Sequence, residues 1–201
     1  MGNRRGEQTK ALIVQKASKL FNCQGYAASS ISDIMHETGL GKGGIYNHFE
    51  SKEELMLSAF SYSIEMMTHH YSEALAGKKG CLERLLAIAS VFEGLAEREL
   101  LPGGCPIMNA AIEADDVDPL LREKAREAMD GLLGMVRSVI QKGMEKGEIR
   151  QDADPEFVAT VFISTLEGAL MLSKLYWNPE YMKRAVRHLQ SFLAAELCQT
   201  I

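Results

Sequence analysis

The sequence predicts an all-α protein. An N-terminal unit of three helices with a helix-turn-helix layout precedes a larger C-terminal helical domain, about nine helices together. Three observations carry this. Only five prolines occur in 201 residues, and the runs between breaks are rich in Leu, Ala, Met, Glu and Lys, all good helix formers. Apolar residues recur at three- and four-residue intervals in almost every segment. The breaks are short turns: "GKKG" at 77–80, "LPGGCP" at 101–106 and "DDVDP" at 115–119. A hydrophobic fraction of 46% is enough to fill a core. The domain boundary falls after residue 52, giving 1–52 and 53–201.

The first helix runs from about Thr9 to Cys23. Ile13, Ala17, Leu20 and Phe21 make its buried stripe, and Lys10, Lys16 and Lys19 lie off it. Arg4 and Arg5 precede it, either as an arm that reaches a minor groove or as a solvated tail. Gly25 and Tyr26 break the chain. Ser30 with Asp33 has capping-box form, and Ile31, Ile34 and Met35 supply an apolar face. That helix ends near Thr38, with Gly39 as its C′ residue. Leu40 anchors the turn into a short helix from about Lys42 to Phe49. Ser51 and Glu54 form a second capping box, opening a long helix toward Ala76.

Further helices are expected at 81–98, 106–114, 119–146, 155–177 and 180–198, the third of them starting at Asp118 or Pro119. The helix from 155 is apolar on nearly all sides, with Glu167 and Lys174 as interior charges, so it needs cover on several faces. The last places Met182, Ala185, Val186, Leu189, Phe192, Leu193 and Leu197 on one stripe. These two helices either build a four-helix homodimer interface or close the monomer core.

The net charge is −5, but it is unevenly spread. Residues 1–52 hold seven Lys/Arg against four Asp/Glu, and the remainder fifteen against twenty-three. Only the N-terminal piece is suited to meet a polyanion. "MGNRRGEQTK" lacks an apolar signal core, and the apolar run at 157–173 is interrupted by Glu167 and too short to span a bilayer. A cytoplasmic protein with no membrane partner is expected. Cys23, Cys81, Cys105 and Cys198 lack C-x-x-C spacing and are expected as thiols. His69 and His70 point about 100° apart on a helix, a poor metal site. "HETG" at 36–39 lacks the second His of a zinc protease. No nucleophile–base pattern or phosphate loop appears, so the chain is not read as an enzyme, and no cofactor or metal is expected. An adaptor that binds only protein would leave Lys42, Tyr46 and His48 without a purpose.

"GLGKGGIYNHF" at 39–49 puts almost no side chain ahead of Tyr, Asn and His. A helix must approach the DNA backbone closely before a side chain reaches a base. Gly41, Gly43 and Gly44 remove Cβ atoms there, Lys42 and Lys52 add charge, and Tyr46 and His48 can donate to phosphate. The wider pattern "AxxLFxxxGYxxSSISDIxxxxGLGKGGIYNHFESKEEL", Ala17 to Leu55, resembles the TetR family of bacterial transcriptional regulators. That resemblance implies an all-helical homodimer, an N-terminal DNA-binding domain, and a C-terminal domain with a small-molecule pocket and a dimer bundle. It implies a regulator, read as a repressor released from a palindromic operator in double-stranded DNA by a small-molecule effector, with an activator as the alternative because the sign depends on where the operator lies. It also implies DNA contact by Ser29, Ser30, Lys42, Gly43, Gly44, Tyr46, Asn47, His48 and Lys52.

Two positions depart from the family pattern. Gly41 stands where Ser is common, and Gly44 where Thr, Ser, Ala or Asn is common. The extra glycines weaken the short helix by about 0.5–1 kcal/mol each against Ala, so it is expected to fray without DNA. Base readout then falls mainly on Asn47, with Tyr46 against a thymine methyl.

"LPGGCPIMNAAIEADD" at 101–116 looks like a segment of one broad subgroup of that family. Cys105 before Pro106 is either a thiol activated at a helix N-terminus or a small buried residue beside a tight turn. The eleven methionines suit an adaptable pocket or an ordinary core. Phe92, Met108, Phe162, Tyr176 and Trp177 are candidate pocket walls, with Cys105 nearby. Asn109, Glu113, Glu167 and His70 are candidate polar handles. Effector binding is expected to change the spacing of the two recognition helices through the long helix that begins at Ser51, a population shift.

Overall fold

The computed structural model describes residues 2–114 and 118–197, and all its regular structure is helical. Nine α-helices occur among the described residues. They are α1 (Gly2–Gln24), α2 (Ile31–Thr38), α3 (Lys42–Tyr46), α4 (Lys52–Leu75), α5 (Cys81–Ala96), α6 (Pro106–Ala114), α7 (Pro119–Glu145), α8 (Pro155–Leu175) and α9 (Glu180–Phe192). A π-helical turn, Leu193–Leu197, extends α9. Asp115, Asp116 and Val117 of the "DDVDP" break, Cys198, and the side chain of Leu197 lie outside the described residues.

Two units form. The first comprises residues 1–67 and 101–126, and the second residues 68–100 and 127–201. In the first, α1 packs on α2 and α6, and α2 packs on α3. Ile13, Ala17, Leu20 and Phe21 are all buried, as the helical spacing requires. Around them sit Ile34, Ile45, Phe49, Leu55 and Phe60. Tyr26 stacks on Phe21, ring centroids 5.5 Å apart, and meets Phe60 edge-on at 6.4 Å. In the second unit α8 packs against α5 and α9. Among the described residues α8 alone would pass for a membrane span by length and composition, yet Val158, Phe162, Ile163, Leu166 and Leu170 on it are buried in protein. Met182, Leu189 and Leu193 carry the buried stripe of the last helix.

Local chemistry sets the ends. Ser30 caps α2 in a full capping box: its side chain accepts from Asp33 N at 3.2 Å, while the Asp33 carboxylate accepts from Ser30 N at 2.7 Å. Gly39 takes φ 70° and its N–H returns to Met35 O. Asp118 caps α7 by accepting from Leu120 N and Leu121 N. Asp154 caps α8, with Pro155 in its first turn.

Three expectations are corrected. Arg4 and Arg5 stand within α1, which starts seven residues earlier than Thr9. No proline or break interrupts residues 2–8, and Thr9 Oγ1 donates back to Arg5 O at 2.9 Å. The second capping box forms only by half. Glu54 N donates to Ser51 Oγ at 3.1 Å, but the Glu54 carboxylate accepts from Glu50 N. The short helix ends at Tyr46 rather than Phe49, because Asn47 N returns to Gly43 O and His48 N to Ile45 O in a closing turn.

The Ser30 cap holds the Asp33 carboxyl below its ordinary value, through the hydrogen bonds from the Ser30 side chain and backbone. The stabilisation is therefore present above the unfolded carboxylate pKa and is lost as pH falls through the lower folded value. Ser30→Ala is expected to cost about 1 kcal/mol of stability at neutral pH. The variant should also unfold with a shallower pH dependence in the acid range, measured by thermal denaturation from pH 3 to 7.

Candidate nucleic-acid interface

The interface is built around a helix of five residues. Gly41 precedes α3 with no side-chain cap, and Ile45 is its one buried residue. Ile45 and Phe49 fix the segment to the unit's core, at 0% and 1% exposure. The opposite side carries Lys42, Gly43, Tyr46 and Asn47, all exposed. Lys42 Nζ lies 5.8 Å from the Tyr46 ring centroid, so the cation and the aromatic face share one spot. His48 is half-buried, with its ring against the Gly6 turn of α1. Lys10, off the α1 stripe, stands 5.0 Å from the Phe49 ring centroid and adds a cation to the same unit.

Gly44 is half-buried against Leu40. A Cβ there would meet the Leu40 Cβ at 3.4 Å, whereas one on Gly43 would meet nothing within 4 Å. Gly43 is thus open toward solvent, the place where a phosphate backbone could come close.

Three of the expected DNA contacts hold the protein itself. Ser29 is 1% exposed, and its hydroxyl donates to Gly25 O at 2.7 Å. Its side chain therefore does not join the exposed face. The Ser30 hydroxyl is engaged with Asp33, at 2.6 Å. Lys52 is half-buried and donates from Nζ to Tyr26 O at 3.0 Å, which fixes a turn.

The candidate pocket residues divide between the two units. Cys105, Met108, Asn109 and Glu113 belong to the first, and Phe92, Phe162, Glu167, Tyr176 and Trp177 to the second. Asn109 and Glu113 are not open handles. Asn109 Nδ2 donates to Asn22 Oδ1 at 2.9 Å and to Gly103 O at 3.0 Å. Glu113 accepts from Tyr26 N at 2.7 Å and Ala27 N at 3.1 Å. Cys105 is buried beside the Gly103–Gly104 turn, which takes its thiol away from solvent. Tyr176 and Trp177 are on the surface, at 59% and 74% exposure. α8 has ended at Leu175. Tyr176 stacks on Tyr181 at 5.3 Å, and the Arg98 guanidinium lies 3.5 Å from the Trp177 ring centroid.

Phe92 and Phe162 are core residues, Phe92 lying 6.5 Å from Tyr71. Both carboxylate oxygens of Glu167 are shut away from solvent. His70 lines a recess of about 390 Å³ in the second unit, together with Glu73, Ser90, Glu93 and Glu97. Burial there, and next the Glu97 charge, push the Glu93 carboxyl up.

Comparison with known proteins agrees in both halves of the sequence. The family described as "Bacterial regulatory proteins, tetR family" matches residues 13–59, and "Tetracyclin repressor-like, C-terminal domain" matches residues 81–189. A TetR transcriptional regulator from Chloroflexus aurantiacus is 42% identical, with TM-score 0.95 over 98% of this chain and 100% of that one. A TetR-family regulator from Cytophaga hutchinsonii is 30% identical, with TM-score 0.91 over 98% of each chain. An HTH-type transcriptional repressor of Mycobacterium sp. (strain GP1) is 26% identical over 84% of this chain and 83% of its own length.

Gly43→Ala separates the two demands on α3. It is expected to stabilise the protein by about 0.5–1 kcal/mol, because the site has room and Ala is the better helix former. It should at the same time weaken DNA binding by placing a methyl group on the exposed face. Paired thermal melts and DNA titrations check both signs, and amide exchange across residues 42–48 should slow in the variant.

Proposed function

We propose that this chain, which belongs to the TetR family of bacterial regulatory proteins, is a cytoplasmic homodimeric repressor that a small-molecule effector releases from a palindromic operator. The observation that carries the reading is the exposed Lys42–Gly43–Tyr46–Asn47 face, backed by the fully buried Ile45. Lys42 neutralises phosphate, the bare backbone at Gly43 permits close approach, and Tyr46 and Asn47 reach the base edges. Residues 1–52 supply this face, and residues 53–201 supply the effector and dimer functions. The matched C-terminal family and the repressor name of the Mycobacterium relative support the sign of regulation. The "GGCP" segment at 103–106 supports the further proposal of a subgroup that shares this turn into α6.

The dimer reading is supported by an apolar row left open on α8 and just beyond it. Phe157, Met171, Leu175 and Trp177 are 59%, 49%, 65% and 74% exposed. On α8 itself Phe157, Met171 and Leu175 share one helix side, and small residues Thr160, Ser164 and Gly168 lie between them. A second copy would cover this row and set the two recognition faces about 34–36 Å apart, one turn of DNA, or a multiple of it. An effector that favours a different spacing by a few kcal/mol releases the operator.

Fluorescence anisotropy with the DNA flanking the protein's own gene, in excess competitor, tests the reading. Tight binding to a palindromic fragment is expected. Lys42→Ala should weaken binding to all sequences alike and lower the slope of log K against log salt by about one per subunit. Equal, weak binding to every fragment, including those selected from random DNA, would sink the proposal. Leu175→Glu buries a charge in the expected dimer seam, so sedimentation should show monomers and operator affinity should collapse while helicity persists.

A further inference from the structure

The turn that joins α1 to α2 is held from outside the helix-turn-helix. Tyr26 and Ala27 lie beyond the end of α1, so their N–H groups have no partner in a helix of their own. Glu113 on α6 accepts both, at 2.7 and 3.1 Å. Lys52 at the start of α4 takes the Tyr26 carbonyl, at 3.0 Å. Both backbone groups of Tyr26 are therefore satisfied by charged side chains from two other helices, and charge-assisted bonds are the stronger kind.

A second link runs one turn earlier. Asn22, 6% exposed, donates to Pro102 O at 2.7 Å and Gly104 O at 2.9 Å. Asn109 donates to Asn22 O at 3.2 Å and to Asn22 Oδ1 at 2.9 Å. The backbones come close enough that a Cβ on Gly103, at φ +92°, would lie 2.2 Å from Asn22 O. Only glycine fits both the space and the angle. The Glu113 side of this turn is partly open. A recess of about 320 Å³, lined by Tyr26, Lys52, Met56, Glu113, Asp118 and Leu121, opens there.

What the turn fixes is the approach to α2. Ser29 N and its hydroxyl both bond to Gly25 O, and Ser30 then caps α2. From α2, Gly39 and Leu40 lead directly into α3. We propose that Asn109 and Glu113 are positioning residues for DNA binding: from α6 they hold residues 22–27, and through them the α2–α3 face, without touching DNA. The inference rests on the DNA-binding reading above and adds a route for regulation. An effector that shifts α6 shifts this turn, and by reciprocity bound DNA stiffens α6.

Amide exchange and affinity on the full chain test it, using the fragment that the wild type selects from random-sequence DNA. DNA is expected to slow exchange across residues 101–114 in the wild type. Glu113→Ala and Asn109→Ala should lose that slowing and bind the fragment about tenfold more weakly, well below their melting temperatures, since the backbone groups they hold lose a partner. Glu113→Gln, whose amide oxygen still accepts, should return affinity to within about threefold. An unchanged exchange rate at 101–114 in the wild type overturns the inference, as do alanine variants that are folded and bind like the wild type. If the variants do not fold, the wild-type exchange result decides. If the wild type selects no DNA at all, the DNA-binding reading fails, and this inference falls with it.

Discussion

Everything in the first unit answers to one constraint: α3 is too short to hold its own shape. A helix of five residues barely completes a nucleus, and such nuclei are unfavourable in water. Gly43 and Gly44 add about 1–2 kcal/mol against it, and Gly41 offers no side-chain cap. Against this, burying Ile45 and Phe49 contributes about 3–6 kcal/mol on area grounds. Packing wins, so the segment exists because the core of the first unit, α2 in particular, takes in those two side chains. The outer side of α3 can then be stripped almost to backbone, since most of its stability comes from the inner side.

The same economy governs the polar groups. In a small helical unit each chain reversal exposes backbone N–H and C=O groups that need partners. Here side chains supply them from far away in sequence. Asn22 reaches residues 102 and 104, and Glu113 reaches back to 26 and 27. Burial, and next the Glu113 carboxylate, push the Tyr26 phenol upward, so it stays protonated beneath its own turn. The second unit uses the same device when Glu148 accepts from Cys81 N and Ser173 Oγ accepts from Met182 N. Polar residues inside amphipathic helices are thus spent on turns before any ligand can claim them.

That explains what could be read from the sequence. Boundaries marked by caps, proline or glycine were legible: α6 occupies 106–114 as expected, and the Ser30 box and Gly39 close α2. The buried stripe of α1 followed from spacing alone. The extension of α1 through Arg4 and Arg5 carried no signal, because ordinary helix formers without a cap or a breaker do not mark a start. Asn109 and Glu113 looked like ligand handles because periodicity says which side of a helix a polar group takes. It does not say which backbone more than eighty residues away it will meet. Tyr176 and Trp177 looked like pocket walls on composition, yet they follow the end of α8, and Trp177 takes φ 52° outside any helix. The one written hint of the long-range link was the Gly103–Gly104 pair, a glycine turn tight enough to accept a neighbouring backbone.

A face with so few side chains limits what one subunit could read. Asn47 can make one bidentate base contact, and Tyr46 one apolar contact. Each is worth about 1–3 kcal/mol of discrimination, which falls short of what picking one site from a genome requires. In the proposed complex Lys42 and the open Gly43 backbone would add affinity that is blind to sequence. In the proposed dimer the missing discrimination would come from repetition and spacing: two thin faces held at a fixed distance would each contribute their contacts, and the distance would itself be a condition the DNA must meet. Specificity then depends on whatever fixes the angle of α2 and α3 within each subunit as much as on the residues that touch a base. Under the proposal a turn clamped by Glu113 and Lys52 would meet that need, and because one clamp sits on α6, the device that sharpens recognition would also be one through which it is relaxed.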